Sequence, residues 1–188
     1  MASLVLSGDT SGSITVSAPA VAGSNTQTLV ATTGTLAPIV SGTAVASTSG
    51  TSIDFTGIPS WVKRITVMFS GISTTGSSNY MAQIGAGSVT TSGYVGSAAF
   101  VAGGTQASFT TGFGVLNSPT AGGTYSGVLI LNNLTGNVWV SSGSMATSGN
   151  NWVSSGILTL SGTLDRVRIT TVNGTDTFDA GTINILYE

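Results

Sequence analysis

Lys63-Arg-Ile-Thr-Val-Met-Phe-Ser-Gly71 is the stretch that decides the fold class. Ile65, Val67 and Phe69 alternate with Arg64, Thr66 and Met68, and successive side chains of a strand point to opposite faces. The three bulky residues are therefore expected in a core, on one face of a half-buried strand. Leu164-Asp-Arg-Val-Arg-Ile-Thr-Thr-Val172 repeats the pattern, and Ile183, Ile185 and Tyr187 alternate again in Thr182-Ile-Asn-Ile-Leu-Tyr187.

Outward from these segments the same signals recur. Short runs rich in Val, Ile, Thr and aromatics lie between Gly, Asn, Ser and Pro punctuation. They predict strands at Ser13–Val16, Thr26–Ala31, Ser52–Thr56, Lys63–Gly71, Tyr80–Ile84, Phe109–Val115, Thr124–Leu131, Val138–Ser142, Ser154–Leu160, Arg166–Val172 and Thr182–Tyr187. Asn173-Gly174 is a strong hairpin signal, because this pair tolerates the positive φ angles of a tight primed turn. No window places apolar residues at i, i+3, i+4 and i+7, and Gly, Ser and Thr recur too often for a helix to propagate. Many antiparallel strands at short spacing predict an all-β fold, an antiparallel β-sandwich of jelly-roll-like topology.

Composition narrows the chemistry. Thr, Ser and Gly fill 85 of the 188 positions, whereas only 5% of residues are charged, against about 25% in ordinary soluble domains. The surface is thus built of hydroxyls, amides and glycine. Disorder requires low hydrophobicity, but 40% of residues are apolar, so the chain should fold. Runs such as Gly127-Val-Leu-Ile-Leu131 fall far short of the ~20 residues of a spanning helix. Membrane insertion is not expected. Met1-Ala-Ser-Leu-Val-Leu-Ser7 lacks the basic region of a secretory signal, so cytosolic synthesis is the expectation, with the sequons at Asn133 and Asn173 left unmodified.

Zero Cys and zero His remove thiolate chemistry, the usual general base and the commonest metal ligand. No cofactor or metal is expected. A net charge of −2 with four cations cannot neutralise a phosphate track, which argues against nucleic acid as a partner.

The first 50 residues differ in kind. They hold no aromatic residue and one charge, Asp9, and end in the linker-like Ser41-Gly-Thr-Ala-Val-Ala-Ser-Thr-Ser-Gly50. Their short apolar stretches, Leu4-Val-Leu6, Ser13-Ile-Thr-Val16 and Thr28-Leu-Val-Ala31, cannot build a core alone. The division expected is an extended β arm for assembly or anchoring over residues 1–40, a linker at 41–50 and a sandwich head at 51–188. The alternative is that the early strands belong to the same sandwich.

Two stretches resemble bacteriophage tail-fibre and related virion proteins. Ser7-Gly-Asp-Thr-Ser-Gly-Ser-Ile-Thr-Val-Ser-Ala-Pro-Ala-Val-Ala-Gly-Ser-Asn-Thr26, with Thr28-Leu-Val-Ala-Thr-Thr-Gly34, is similar to the N-terminal repeat such proteins carry before a head. Ile53-Asp-Phe-Thr-Gly-Ile-Pro-Ser-Trp-Val-Lys-Arg-Ile-Thr-Val-Met-Phe-Ser-Gly-Ile72 resembles the first strand pair of a head domain, closed by Leu164-Asp-Arg-Val-Arg-Ile169 and the terminal strand. The resemblance implies a virion structural protein, a short tail or neck fibre that assembles as a trimer. Its arm would join other virion proteins, and its head would contact a host-surface glycan. A capsid decoration protein and a non-catalytic carbohydrate-binding module are the alternatives. The family has no shared catalytic motif, and no enzymatic activity is expected.

Candidate sites follow from residue type. Trp61, Trp139, Trp152, Tyr80, Tyr94 and Tyr125 are able to stack on a sugar face. Trp152, in the polar stretch Ser148-Gly-Asn-Asn-Trp-Val-Ser-Ser155, is the first choice for glycan contact, with Asn150, Asn151 and Tyr125 around it. Trp61 reads as a core or inter-subunit plug. Asp176 and Asp179 are the one close carboxylate pair, suited to turn capping, calcium ligation or, least, hydrolysis. Arg166 and Arg168 share a strand face, where Asp165 and Asp54 would pair with them or an anionic sugar would bind. Gly85-Ala-Gly87, Gly103-Gly104 and Gly122-Gly123 read as turns, since none leads into a helix.

Overall fold

The computed structural model describes residues 3–7, 11–17 and 37–188. The chain divides into two compact units, Met1–Leu36 and Ala37–Glu188.

In the first unit, β1 (Ser3–Ser7) and β2 (Ser13–Ser17) form an antiparallel hairpin in which Leu6 stands opposite Ile14. Val5, Leu6, Ile14 and Val16 are all more than half exposed. A two-stranded hairpin by itself is marginal in water, and these four side chains are left uncovered by the described residues. The strand expected at Thr26–Ala31 lies outside the described residues.

The second unit is an all-β, antiparallel, two-sheet structure. It comprises β3 (Val40–Ser41), β4 (Val45–Ala46), β5 (Ser52–Thr56), β6 (Arg64–Thr74), β7 (Tyr80–Ala86), β8 (Ser88–Val89), β9 (Val95–Phe100) and β10 (Thr105–Phe109). It continues with β11 (Phe113–Leu116), β12 (Tyr125–Thr135), β13 (Val138–Thr147), β14 (Asn150–Thr159), β15 (Arg166–Thr171) and β16 (Phe178–Tyr187). The larger sheet runs β10-β9-β14-β13-β12-β6-β16-β3, with β4 also on β16, and the smaller runs β11-β7-β15-β5, with β8 on β7.

The decisive stretch lies deep in the larger sheet, with β12 on one side and β16 on the other. Ile65, Val67 and Phe69 are buried as their alternation requires. At Gly71 the alternation breaks: its φ of +60° and the shifted registers on both neighbours mark a bulge. The extra residue turns Ile72 inward as well, so Phe69 and Ile72 both reach the core. β5 and β6 do not pair with each other. β5 is held by β15 in the smaller sheet and β6 by β16 in the larger, so two late strands close two early ones.

Where the sheets approach at β11, the facing positions of the larger sheet are small. Ser141, Gly143, Ser154 and Gly156 lie in register across β13 and β14, and a Cβ on Gly156 would stand 2.9 Å from Cδ1 of Phe113. Glycine there makes room for the fully buried Phe113 ring, which meets Tyr94 edge-on at 4.9 Å.

Several expectations change. β9 and β10 form a hairpin that the expected strands do not include, and the strand expected over Phe109–Val115 is two elements, the end of β10 and β11, separated by a turn. Asn173-Gly174 does make a turn, but it joins β15 to β16 across the two sheets and is not a hairpin. The stretch 41–50 is laid along β16: Gly42 N donates to Ile185 O at 2.7 Å, Ser47 N to Gly181 O at 2.9 Å, and the buried Ser47 hydroxyl to Ala180 O at 2.8 Å. Backbone groups that would otherwise form an open sheet edge take up this segment, which is why a composition suited to a linker is ordered here.

The fragment 37–188 should fold with the full chain's β-sheet circular dichroism, whereas the fragment 51–188, which uncovers the edge of β16, should lose stability by several degrees in Tm. Equal melting of the two fragments would show that the edge segment contributes nothing.

Candidate functional site

The aromatic residues singled out from the sequence are mostly interior. Trp152 and Tyr125 are buried, so the glycan platform expected at Trp152, Asn150, Asn151 and Tyr125 does not exist as a surface. The strand period explains it: from 152 to 158 the even positions of β14 face inward, and Trp152 heads that row with Ser154 and Leu158. Its indole N–H donates to Asn117 O at 2.9 Å, and its ring stacks on Phe100 at 4.9 Å and meets Tyr125 edge-on at 5.4 Å. Asn150 and Asn151 are exposed at the start of β14, flanking the β13–β14 turn, and remain without the aromatic surface they were to frame. Trp139, Tyr80 and Tyr94 are likewise in the core. Trp61, read as a plug, is 40% exposed and leans on Tyr187 at 5.9 Å.

The carboxylate pair separates by role. Asp176 ties two loops together, accepting from Ser78 N at 2.9 Å and Asn173 Nδ2 at 2.6 Å, the turn-capping use of Asp. Asp179 is exposed on β16. Among the described residues no group of three or more acids could hold a metal ion.

The cations are also paired. Arg168 lies across from Asp54 in the β15–β5 register and binds it through two bonds of 2.7 and 3.0 Å. Arg166 turns to its chain neighbour Asp165, again with 2.7 and 3.0 Å. One pair therefore bridges strands and the other is local, rather than a ladder. The guanidinium bonded to it holds the Asp165 carboxyl below the ordinary value, and the Asp54 carboxylate raises that of Arg168. Arg64 meets Glu188 at 3.1 Å, and Lys63 Nζ donates to Asn133 Oδ1 at 3.2 Å.

What the geometry does offer is a polar depression of about 330 Å³ on the outer side of the smaller sheet, lined by Thr51, Ser52, Gln83, Thr111, Arg168 and Thr170 among others. Hydroxyls, the amides of Gln83 and Asn173 and one guanidinium can hydrogen-bond a polyol or sugar. They include no base that could activate a nucleophile, and Gln83 is already committed to Thr111 O at 2.8 Å. Of this lining the sequence marks Arg168, through its shared face with Arg166, and Asn173-Gly174, as a turn; the threonines and serines carry no signal because Thr and Ser are everywhere. No family model, curated protein or solved structure matches the chain.

Trp152→Ala should act on stability, lowering it by about 3–5 kcal/mol as a buried aromatic truncation does, as read by urea unfolding; unchanged stability would return Trp152 to the surface. The pH profile of stability should be level from pH 6 to 9, where no His or Cys titrates. Burial pushes the Tyr80 and Tyr94 hydroxyls from 10.0 up to about 12. A raised pKa gives stability that is complete below the unfolded value and lost as pH climbs through the folded one, so unfolding should set in between pH 10 and 12. Tyr94→Phe should flatten part of that fall in alkaline melts while leaving Ile84 N without the 2.8 Å acceptor Tyr94 provides.

Proposed function

We propose that this protein is a non-enzymatic structural component of a bacteriophage particle, a short fibre-like protein that assembles as a trimer, with its N-terminal arm seated on the virion and its head turned outward. The observation that carries the reading is the contrast between its two units. The β1–β2 hairpin presents Val5, Leu6, Ile14 and Val16 at 53–70% exposure, an apolar surface suited to burial against another chain. The 37–188 unit, by contrast, has a continuous core of its own. The resemblance of residues 7–34 and 53–72 to virion fibre proteins gives the reading its setting. The charge pairs and the capped Asp176 leave the described residues without an acid and base set around one reacting atom, consistent with a role in assembly and adhesion.

The test is immunogold microscopy of particles. Label on the tail or neck supports the fibre, label distributed over the capsid lattice makes this a decoration protein, and absence from particles overturns the proposal. Deleting residues 1–36 should leave a folded head that no longer joins the particle. The purified protein should hydrolyse no polysaccharide, peptide or phosphoester; turnover abolished by Asp176→Asn with Asp179→Asn would make it an enzyme.

A further inference from the structure

From Ile65 to Leu164 the sequence has not one Asp, Glu, Lys or Arg. The fold assigns most of that run to one place: β9, β10, β12, β13 and β14 lie wholly within it, and with β6 they are six adjacent strands of the larger sheet. Their inner face is the core. Their outer face is open among the described residues, and Arg64 at the start of β6 is the first charge reached.

The pairing registers fix what stands on that face. Val95, Ile157 and Val140 form one cross-strand row, and Ala99 and Val153 belong to another. Between them runs a hydroxyl row, Ser97, Ser155 and Ser142. Val95, Val153 and Ile157 are 69%, 50% and 41% exposed, and a shallow depression of about 330 Å³ lies between Ala99, Gln106, Val153 and Ser155. β10 at the sheet's edge carries no Lys and no Pro, the usual guards of an open edge. A solvated antiparallel face is ordinarily polar and charged, and this one is neither alternately charged nor guarded.

We infer that the outer face of β6, β12, β13, β14, β9 and β10 is buried against other copies of this chain. The inference rests on the assembly reading above and names its surface. Six strands at about 4.8 Å spacing and some seven residues at about 3.4 Å each give roughly 700 Å² per copy, close to the ~800 Å² per partner of a stable interface. A partner with a charged surface would have to bury ions opposite apolar rows, at a cost no group here offsets. A lipid surface would leave the serine row without partners, and the one cation at the rim of the face, Arg64, is already paired with Glu188 at 3.1 Å. A second copy matches on both counts: its rows are equally uncharged, and its serines supply donors and acceptors for these.

The experiment uses the full chain carrying Val153→Lys with Ile157→Lys. A two-lysine control, Thr48→Lys with Thr175→Lys, alters exposed positions away from this face. In sedimentation velocity at micromolar concentration, the wild type and the control should run as a multimer, and the face variant as the 18.6 kDa monomer with unchanged circular dichroism. Should the lysines impair folding, Val153→Ser with Ile157→Ser strips the apolar rows alone and should weaken association at least tenfold. A folded face variant that keeps the wild-type mass overturns this inference and leaves the assembly reading standing. A wild-type protein that is monomeric, whether or not it captures lipid vesicles, overturns both.

Discussion

The head depends on the placing of β6 between β12 and β16. Its inward row of Ile65, Val67 and Phe69 is buried completely or nearly so, and its backbone is paired along both edges. Each of those apolar side chains stabilises by about 1.5–3 kcal/mol on burial, and none could be buried on both a sheet face and a second sheet without neighbours on each side. The bulge at Gly71 then bends the strand so that its far half, Ile72 to Thr74, also packs inward. Moving β6 by one residue would place Arg64, Thr66 and Met68 in the core, which is why its register sets that of the strands beside it.

What could be read from the sequence follows the size of the inward side chains. β5, β6, β12, β15 and β16 carry bulky residues at alternate positions, and their alternation is visible without a structure. β9 is Val95-Gly-Ser-Ala-Ala-Phe100, whose inward positions include Gly96 and Ala98; a Cβ on Gly96 would stand 2.7 Å from Ser155 O on β14, and Ala98 packs with Met81 and Phe109, so the reasons for their small size sit elsewhere in the chain. The sequence around Trp152 points to the surface for a related cause. Its row on β14 contains Ser154 and Gly156, so the inward face looks polar, and the flanking Asn150 and Asn151 gave it the look of a loop. The segment 41–50 has the composition of a linker, but unpaired backbone along β16 outweighs composition.

Nine of the ten charged residues lie in the head, and they divide its surface as sharply as the strands divide its interior. Most of them sit on or beside the smaller sheet, at the ends of β6 and β16, and in the loop that Asp176 ties down. There they pair with each other: Arg168 with Asp54, Arg166 with Asp165, Arg64 with Glu188. Exposed pairs of this kind are worth little to stability. Their arrangement matters more as a boundary, since it leaves a polar depression on one sheet and, from β12 to β10, five strands without a charge on the other. Such a division of labour suits a protein with one side for its own kind and another for water.

The position of β16 has a consequence for synthesis. It pairs with β6, yet it is translated more than a hundred residues later, so at about 5–20 residues per second a nascent chain holds β6 with one bare edge for roughly 6 to 25 s. During that interval β12, β13 and β14 emerge and build outward from its other edge, exposing the inner row of the sheet before β16 arrives. Polysomes that bring several such nascent chains close together would offer each bare edge the wrong β12 or β16 from a neighbour. A chain with this strand order therefore gains from meeting a chaperone, or its own sister chains in order, before its last strand leaves the ribosome.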